Sequence, residues 1–204
     1  MPTKEDLHTF LRTRRSIRRF KPDPVPNSVI ESILTTAAFA PSAHDSQPWR
    51  FAVVTDTFVK TRLGEAITSK MRSDMQAEGT DKSDIEKRAA LSLRRMDKAP
   101  LVIILCRDIN AVRKDTPEER IMGIQSTALA GLQLLLAAHA EGLGGNWICW
   151  PLYAQDATRT ALDLPETWEP QALYFLGYPM ETPEPKTVKS IKEITKWIQT
   201  SPDV

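Results

Sequence analysis

The residues with the clearest chemical potential form a short basic run, Arg14-Arg15-Ser16-Ile17-Arg18-Arg19. Four guanidinium groups in six positions repel one another, so the run destabilises the chain unless a negative group lies close by. The planar guanidinium fork matches phosphate oxygens in pairs, and Ser16 adds a hydroxyl among the donors. The run therefore predicts a site for a phosphate-bearing cofactor. The alternative is a solvated basic turn after a helix.

The charge of the whole chain favours a discrete anion over a polyanion as the partner of this run. The sequence has 27 basic and 26 acidic residues, a formal net charge of +1, so the positive density is local. Nucleic-acid binding depends on broad positive surfaces, and a balanced charge argues against it. We expect a small-molecule site and no nucleic-acid partner.

A second polar stretch, residues 40–49, has the sequence Ala-Pro-Ser-Ala-His-Asp-Ser-Gln-Pro-Trp. Its short polar side chains are bracketed by Pro41 and Pro48. Such residues bind neighbouring backbone or a ligand more readily than they form regular structure. The stretch predicts a loop that can line a site.

The common catalytic and nucleotide-binding motifs are absent from the sequence. Residues 142–147 resemble a dinucleotide fingerprint, but Trp147 stands in place of its third glycine and the segment runs from helix into strand, the reverse of the required order. Two cysteines and three histidines show no zinc spacing, and no serine lies in a Gly-x-Ser-x-Gly elbow. We therefore expect neither a metal nor a side-chain nucleophile.

Composition predicts one soluble domain in a reducing compartment. A length of 204 residues suits a single domain over residues 1–204. Cys106 and Cys149 fit neither a disulfide framework nor a metal site, and the first eleven residues lack the apolar core of a signal peptide. The apolar segment 121–140 is interrupted by polar residues, so we do not expect a membrane span. We expect a cytoplasmic protein.

Hydrophobic periodicity predicts the remaining elements. Thr3 and Asp6 predict a cap for a first helix that ends at about Thr13. The uninterrupted apolar run over 100–106 predicts a buried central strand. We expect further helices near 27–39, 118–141, 154–163 and 190–199, two helices within 57–98, and further strands near 51–55, 146–150 and 170–177.

The helix expected over 118–141 is apolar nearly all round. Such a helix must be buried, either centrally or against a second subunit. Gly142 and the pair Gly144-Gly145 are predicted to end it. The leucines that cover more than one of its faces are Leu129, Leu132, Leu134, Leu135 and Leu136.

The basic run and the proline-bracketed loop together resemble the two N-terminal signatures of the nitroreductase family. The matching stretches are 14–20 and, in the loop, Ala40-Pro41-Ser42 with 46–51. Two later stretches agree: the helix end over 140–144, and Leu-Gly-Tyr-Pro at 176–179. Four such stretches in the right order cover most of the chain.

This resemblance implies an α+β fold, with a central, mainly antiparallel sheet flanked by helices. It also implies FMN as cofactor, with NADH or NADPH as a transient donor, in an intertwined homodimer whose flavin sites lie at the subunit interface. The flavin carries the redox chemistry in such enzymes, so no acid–base side chain is required.

Residue by residue, the resemblance implies three groups of flavin contacts. Many family members have Asn where Asp45 stands, and some have Glu where Cys149 stands. We expect Trp49 and Trp147 to pack in the core and Arg19 to be exposed. The implied contacts are Arg14, Arg15, Ser16 and Arg18 with Lys186 and Lys189 at the phosphate and ribityl chain; Pro41, Ser42, Asp45 and Gln47 from the partner subunit; and Ser92, Arg95, Trp147, Ile148, Cys149 and Trp150 near the ribityl chain or ring.

Three functions remain open within this interpretation. The segment 161–179 looks most like the nitroreductase-type domain linked to deazaflavin-coenzyme biosynthesis, which reduces a dehydro precursor. A flavin-fragmenting branch that makes dimethylbenzimidazole is also similar, but it carries Asp where Ser16 stands. A nitro compound, quinone or enone is the general class of acceptor. The alternative from another class is a flavin or phosphometabolite-binding module without turnover.

Overall fold

The computed structural model describes residues 1–198 of the chain. Its helices are α1 (Lys4–Thr13), α2 (Asn27–Ala37), α3 (Thr57–Ala77), α4 (Lys82–Lys98), α5 (Pro117–Ala140), α6 (Trp150–Tyr153), α7 (Gln155–Leu162) and α8 (Ile191–Ile194). Its strands are β1 (Trp49–Val54), β2 (Leu101–Asp108), β3 (Gly144–Ile148) and β4 (Trp168–Gly177). This order confirms the predicted α+β class.

Capping side chains start the two helices that border the site. Thr3 and Asp6 form a capping box at the start of α1, as predicted. The Thr116 hydroxyl accepts a hydrogen bond from the Glu119 amide at the start of α5, where Pro117 occupies the first turn. Both helix starts are therefore readable from local sequence.

The four strands form one antiparallel sheet in the order β1-β2-β4-β3. Side chains alternate between the two faces of β2, so Leu101, Ile103 and Leu105 enter one core and Val102 and Ile104 enter the other. Helices α2 and α5 cover the first face, and α3, α4 and α7 cover the second. Because β3 is the last strand in the order, it is an edge strand.

Helix α5 is only half covered by the rest of the domain. It is long and apolar enough, by length and composition, to cross a membrane, and half of its apolar window is buried in the domain. It packs against α2 and the sheet, which is the position of a core helix. The uncovered face carries an apolar stripe, called the α5 stripe below: Ile121, Ile124, Ala128, Leu129 and Leu132.

Two predicted element boundaries are wrong. Gly144 and Gly145 open β3 instead of ending α5, because a Cβ at Gly144 would lie only 2.6 Å from Ile17 and the close strand contact needs glycine there. The C-terminal helix expected over 190–199 is the single turn α8, and residue 199 lies outside the described residues.

The tryptophans at 49 and 147 differ in burial. Trp49 is buried, as expected. Trp147 was expected in the core, but it is 59% exposed because a groove separates this end of β3 from α5. Its exposed indole is therefore available to a ligand or a second subunit.

Candidate active site

The arginine run is fixed beside the edge strand by backbone hydrogen bonds. Helix α1 ends at Thr13, and Arg14 turns the chain into an extended path with φ −54° and ψ 133°. Ser16 then forms a parallel bridge with Gly145, and the Ile17 amide donates to the Gly145 carbonyl over 3.1 Å. The run thus extends the outer edge of β3 by one short strand-like segment.

A second set of bonds ties the end of the run to the chain that follows β4. The Lys21 amide donates to the Tyr178 carbonyl over 2.9 Å, and the Met180 amide donates to the Arg19 carbonyl over 3.0 Å. The run is therefore held on both sides, at β3 and after β4. Fixed backbone on both sides reduces the entropy that a ligand must remove when it binds the side chains.

Two of the four arginines already have partners within the protein. The Arg15 guanidinium donates to the carbonyls of Arg12 and Arg14 at the end of α1, where a cation also favours the helix dipole. Arg19 Nε donates to Glu181 Oε2 over 2.9 Å, and its side chain is 73% exposed. The expected exposure of Arg19 is therefore correct, although it also holds an ion pair.

The other two arginines have no hydrogen bond or ion pair to their guanidinium groups within residues 1–198. Arg14 is half-buried, and Arg18 is exposed. Ile17 between them is buried, so alternation along the extended chain sets Ser16 and Arg18 on the opposite, open side. The run therefore offers two guanidinium groups and one hydroxyl to a ligand.

Glu181 is a carboxylate beside this basic run that sequence reasoning did not identify. It accepts hydrogen bonds from the amide of Arg18 over 2.6 Å and from the amide of Arg19 over 3.2 Å. These bonds, the Arg18 amide first, hold the pKa of Glu181 below its usual value. Its charge is already engaged by Arg19 and backbone amides, which leaves the positive charges of Arg14 and Arg18 available.

Two cavities meet at the arginine run, and Arg14 and Leu135 line both of them. The first, of about 300 Å³, is bounded by the run, the glycine-rich turn over 142–145 and the segment after β4. The second, of about 360 Å³, is an apolar groove between α5 and the sheet, called the α5 groove below. Its other lining residues include Ile124, Ala128, Gly131, Leu132, Trp147, Leu152 and Tyr174.

His139 lies in the wall of the first cavity. Its ring stacks on Phe10 with centroids 5.0 Å apart, and Nε2 lies 3.3 Å from the Thr13 hydroxyl. Burial, followed by the positive charge of Arg14, lowers the pKa of His139. Both causes favour the neutral form of the His139 ring.

Residues 41–48 of the loop predicted over 40–49, called the proline loop below, have a strained backbone. His44, Asp45 and Gln47 adopt positive φ angles of 55°, 52° and 44°. Such conformations cost a non-glycine residue of the order of 1–2 kcal/mol each, least for Asp. Strain of this kind concentrates at functional sites.

Hydrogen bonds hold this loop in its conformation. The Ser42 hydroxyl accepts from the Gln47 amide over 3.1 Å, and Asp45 Oδ1 accepts from Gln47 Nε2 over 3.0 Å. The Ala43 amide donates to Ser126 Oγ on α5, also over 3.1 Å. Ser42, Asp45 and Gln47 thus form one local hydrogen-bond network within the loop that was predicted from the sequence.

The proline loop contacts the first half of α5, and the arginine run lies beside the C-terminal end of this helix. Ser126 holds the loop, whereas His139 lies beside the run. Thirteen residues separate the two, which is about 20 Å along a helix. Within one chain the two predicted parts of the site are therefore not brought together.

The remaining predicted cofactor contacts line neither of the two cavities. Ser92 is buried and Arg95 half-buried on α4, and neither lines the first cavity or the α5 groove. Lys186 and Lys189 are exposed on a segment without regular secondary structure. Ile148 ends β3, Cys149 and Trp150 lead into α6, and all three are half-buried. Their contacts with a cofactor stay predictions.

The two cysteines are free thiols, as their spacing indicated. Burial raises the pKa of Cys106 to about 12, so this thiol stays protonated and unreactive. Cys149 is half-buried at the end of β3. No cluster of potential metal ligands occurs among the described residues.

Comparison with known proteins agrees with this geometry. A family model described as the nitroreductase family matches residues 11–178, from the last turn of α1 to the end of β4. The chain belongs to the nitroreductase family. The match includes the arginine run, the proline loop and the whole sheet. This chain is accordingly an oxidoreductase of that family, and two of its curated relatives are named as NAD(P)H nitroreductases.

Two curated relatives are 31% identical to this chain over 185 residues each. A Methanothermobacter thermautotrophicus protein, assigned as an NADH dehydrogenase/NAD(P)H nitroreductase, is matched over 89% of this chain and 81% of its own length. A 5,6-dimethylbenzimidazole synthase of Rhodospirillum rubrum is matched over 87% and 84%. Equal identity to both means that overall similarity does not separate the two reactions.

A solved structure shares the fold. The NADPH:FMN oxidoreductase of Vibrio harveyi, complexed with NAD⁺, superposes with a TM-score of 0.75 over 96% of this chain and 78% of its own. The sequence identity is 20%, so this likeness concerns the fold alone.

Proposed function

We propose that this chain is an FMN-dependent oxidoreductase that takes electrons from NADH or NADPH and reduces a small organic acceptor. The observation that carries the proposal is the junction of two unlike cavities at Arg14 and Leu135. One cavity is bordered by the unpaired guanidinium group of Arg14, and the other is apolar. A phosphate tail joined to an apolar ring system matches this pair of cavities.

The donor set of the arginine run suits a phosphate. Arg14 and Arg18 have no competing side-chain partner among the described residues, and Ser16 presents an exposed hydroxyl. Phosphate oxygens form strong charge-assisted hydrogen bonds with such groups. Lys186 and Lys189 follow β4 and would add positive charge if their segment folds over the phosphate.

The α5 groove and the free edge of β3 suit the flavin ring. Trp147 and Leu135 offer apolar surface, and beyond Gly145 no strand among residues 1–198 pairs with the outer edge of β3. Backbone groups from Trp147 to Cys149 are therefore available for hydrogen bonds to the ring. When bound, FMN would supply the hydride transfer, while these residues hold the ring and exclude water.

A homodimer would complete the site. The α5 stripe is an apolar surface of at least five residues that the described chain leaves uncovered. A two-fold axis near Leu132 would pack two copies of α5 in opposite directions. Because 132 is about midway between 126 and 139, the partner's proline loop would then approach the arginine run. The partner's loop would thus take the place of the chain's own loop, which lies about 20 Å from the run along α5.

In this arrangement each subunit has a distinct task. One subunit binds the phosphate and the edge of the ring, and the other closes the ring with Pro41, Ser42, Asp45 and Gln47. The strained, internally bonded loop is suited to a fixed rim because its conformation is set before the ligand arrives. The donor and the acceptor would use the same open side of the ring in turn.

Flavin titration tests the proposal. Apo-protein, prepared by stripping any bound flavin, is titrated with FMN and with riboflavin, which lacks the phosphate. We expect tight FMN binding and much weaker riboflavin binding, followed by bleaching with NADH or NADPH and reoxidation by quinones, nitroaromatics or enones. A bound flavin that neither donor reduces would favour a binding module without turnover.

Two narrower reactions deserve direct assays. The Rhodospirillum relative makes flavin fragmentation to dimethylbenzimidazole the second candidate. Incubation with FMN, a reductant and O₂, followed by chromatography, would detect that product. We expect none, because Ser16 replaces the aspartate typical of that branch. Reduction of a dehydro-deazaflavin precursor is the third assay, and consumption of that precursor would identify the acceptor.

A further inference from the structure

Tyr174 is a buried residue whose hydroxyl group borders the α5 groove. Its side chain extends from β4 toward α5, and the residue is 3% exposed. Within residues 1–198 its hydroxyl makes no hydrogen bond, and the residue lines the α5 groove. A tyrosine hydroxyl that borders a groove and has no protein partner is free to donate a hydrogen bond to a ligand in that groove.

Gly131 on α5 makes room for this hydroxyl. A Cβ at Gly131 would overlap the Tyr174 hydroxyl oxygen and would lie 3.0 Å from its Cζ. Helix interiors normally disfavour glycine relative to alanine. Glycine at position 131 therefore leaves space for the phenol of Tyr174. A larger residue there would displace the hydroxyl from the groove.

The chemical character of Tyr174 is that of a permanent hydrogen-bond donor. Burial, with a smaller effect of Cys149, raises the pKa of Tyr174 above its usual value. The phenol therefore keeps its proton at every working pH. Arg14, in the same groove, adds positive charge, so the groove favours a ligand atom that accepts hydrogen bonds.

We propose that the Tyr174 hydroxyl donates a hydrogen bond to an oxygen or nitrogen of the flavin ring in the α5 groove, and so selects a planar ring that carries such an acceptor. This inference rests on the proposed function, because it assigns the ring to this groove. Tyr174 acts as a positioning residue that fixes how deeply the ring enters between Trp147 and α5. Neither family membership nor the sequence motifs point to it.

The test uses Tyr174→Phe, which removes only the hydroxyl, with Tyr153→Phe as the matched control on exposed α6. Because the hydroxyl has no partner in the apo-protein, we expect Tyr174→Phe to leave the apo melting temperature unchanged or slightly raised. We expect its affinity for FMN to fall about 3- to 10-fold, with a shifted flavin absorption spectrum. Tyr153→Phe should change neither quantity.

A second variant tests the glycine notch. Gly131→Ala in the wild-type background should destabilise the protein and weaken FMN binding. In the Tyr174→Phe background the loss of stability should be smaller, because the overlapping oxygen is gone. Equal destabilisation in both backgrounds would overturn the role of Gly131.

The outcomes separate this inference from the proposed function. If the wild type binds no FMN, the proposed function fails. If the wild type binds FMN and Tyr174→Phe binds it equally well with an unchanged spectrum, only the role of Tyr174 fails. A lower apo melting temperature with unchanged FMN affinity, or a raised KM for the acceptor alone, would also overturn it.

Discussion

The Ile17 amide donates to the Gly145 carbonyl over 3.1 Å, and this bond sets the arginine run beside the edge strand of the sheet. A Cβ at Gly144 would lie 2.6 Å from Ile17, so the approach requires glycine. The contact joins the N-terminal signature to a strand about 130 residues later in the chain. It explains how a run of mutually repelling arginines becomes one wall of a site.

Arg14 is predicted to be the main phosphate partner. Arg14→Gln should weaken FMN binding by about 10- to 150-fold, since a hydrogen bond to a charged group contributes about 1.5–3 kcal/mol. Riboflavin affinity should change little. Fluorescence titration with both ligands measures this. Lys21→Gln, at an exposed basic residue beside the run, is the control, and an equal loss in that variant would mean that only general charge matters.

His139 should make the stability of the apo-protein depend on pH. Its pKa in the folded state is lowered, so the unfolded chain binds a proton more readily and the stability is lost as pH falls below the ordinary histidine value of about 6.5. Urea denaturation from pH 7.5 to 5.5 should show this loss, and His139→Gln should reduce it. His8→Gln, on exposed α1, should behave as the wild type. Identical pH profiles for wild type and His139→Gln would contradict the prediction.

The sequence predicted the parts of this molecule that depend on local or periodic signals. Capping residues located the start of α1, and the apolar run over 100–106 located the buried strand β2. The arginine run and the proline loop were found because their composition is unusual for regular structure. Whether the arginine run and the proline loop belong to one site depends on their positions in the tertiary structure, and no local sequence pattern determines those positions.

Leu129 should be essential for association of two chains. It is an exposed residue of the α5 stripe that does not line the α5 groove, so Leu129→Lys would place a charge in an apolar interface and should sediment as a monomer. FMN affinity should fall with it, because the proline loop of the partner subunit is lost. Gln76→Lys on exposed α3 provides the control. A monomeric variant that keeps full FMN affinity would show that one chain binds FMN alone.

Asp45 should lower the reduction potential of a bound flavin. Its carboxylate accepts from Gln47 and its φ is 52°, both of which asparagine tolerates, so Asp45→Asn removes only the charge. The midpoint potential should rise by on the order of 20 mV. Asp163→Asn is a matched control, since Asp163 also has positive φ but caps α7. An unchanged midpoint potential in Asp45→Asn would show that the proline loop does not lie beside the flavin.

Other features could not be predicted because they depend on tertiary contacts. Trp147 reads as a core residue in an apolar strand, yet β3 is an edge strand and the indole is exposed. Glu181 and Tyr174 carry no motif, and their importance comes from neighbours far away in sequence. Glu181 could have been noticed only as a carboxylate shortly after the Gly-Tyr-Pro stretch, and Tyr174 only as a hydroxyl in an otherwise apolar strand.

A crystal structure of the protein saturated with FMN would test the central claim most directly. We predict a two-fold dimer with the phosphate between Arg14 and Arg18, and with the ring in the α5 groove under the partner's proline loop. A monomer, or a dimer whose flavin lies away from Arg14, would contradict the account.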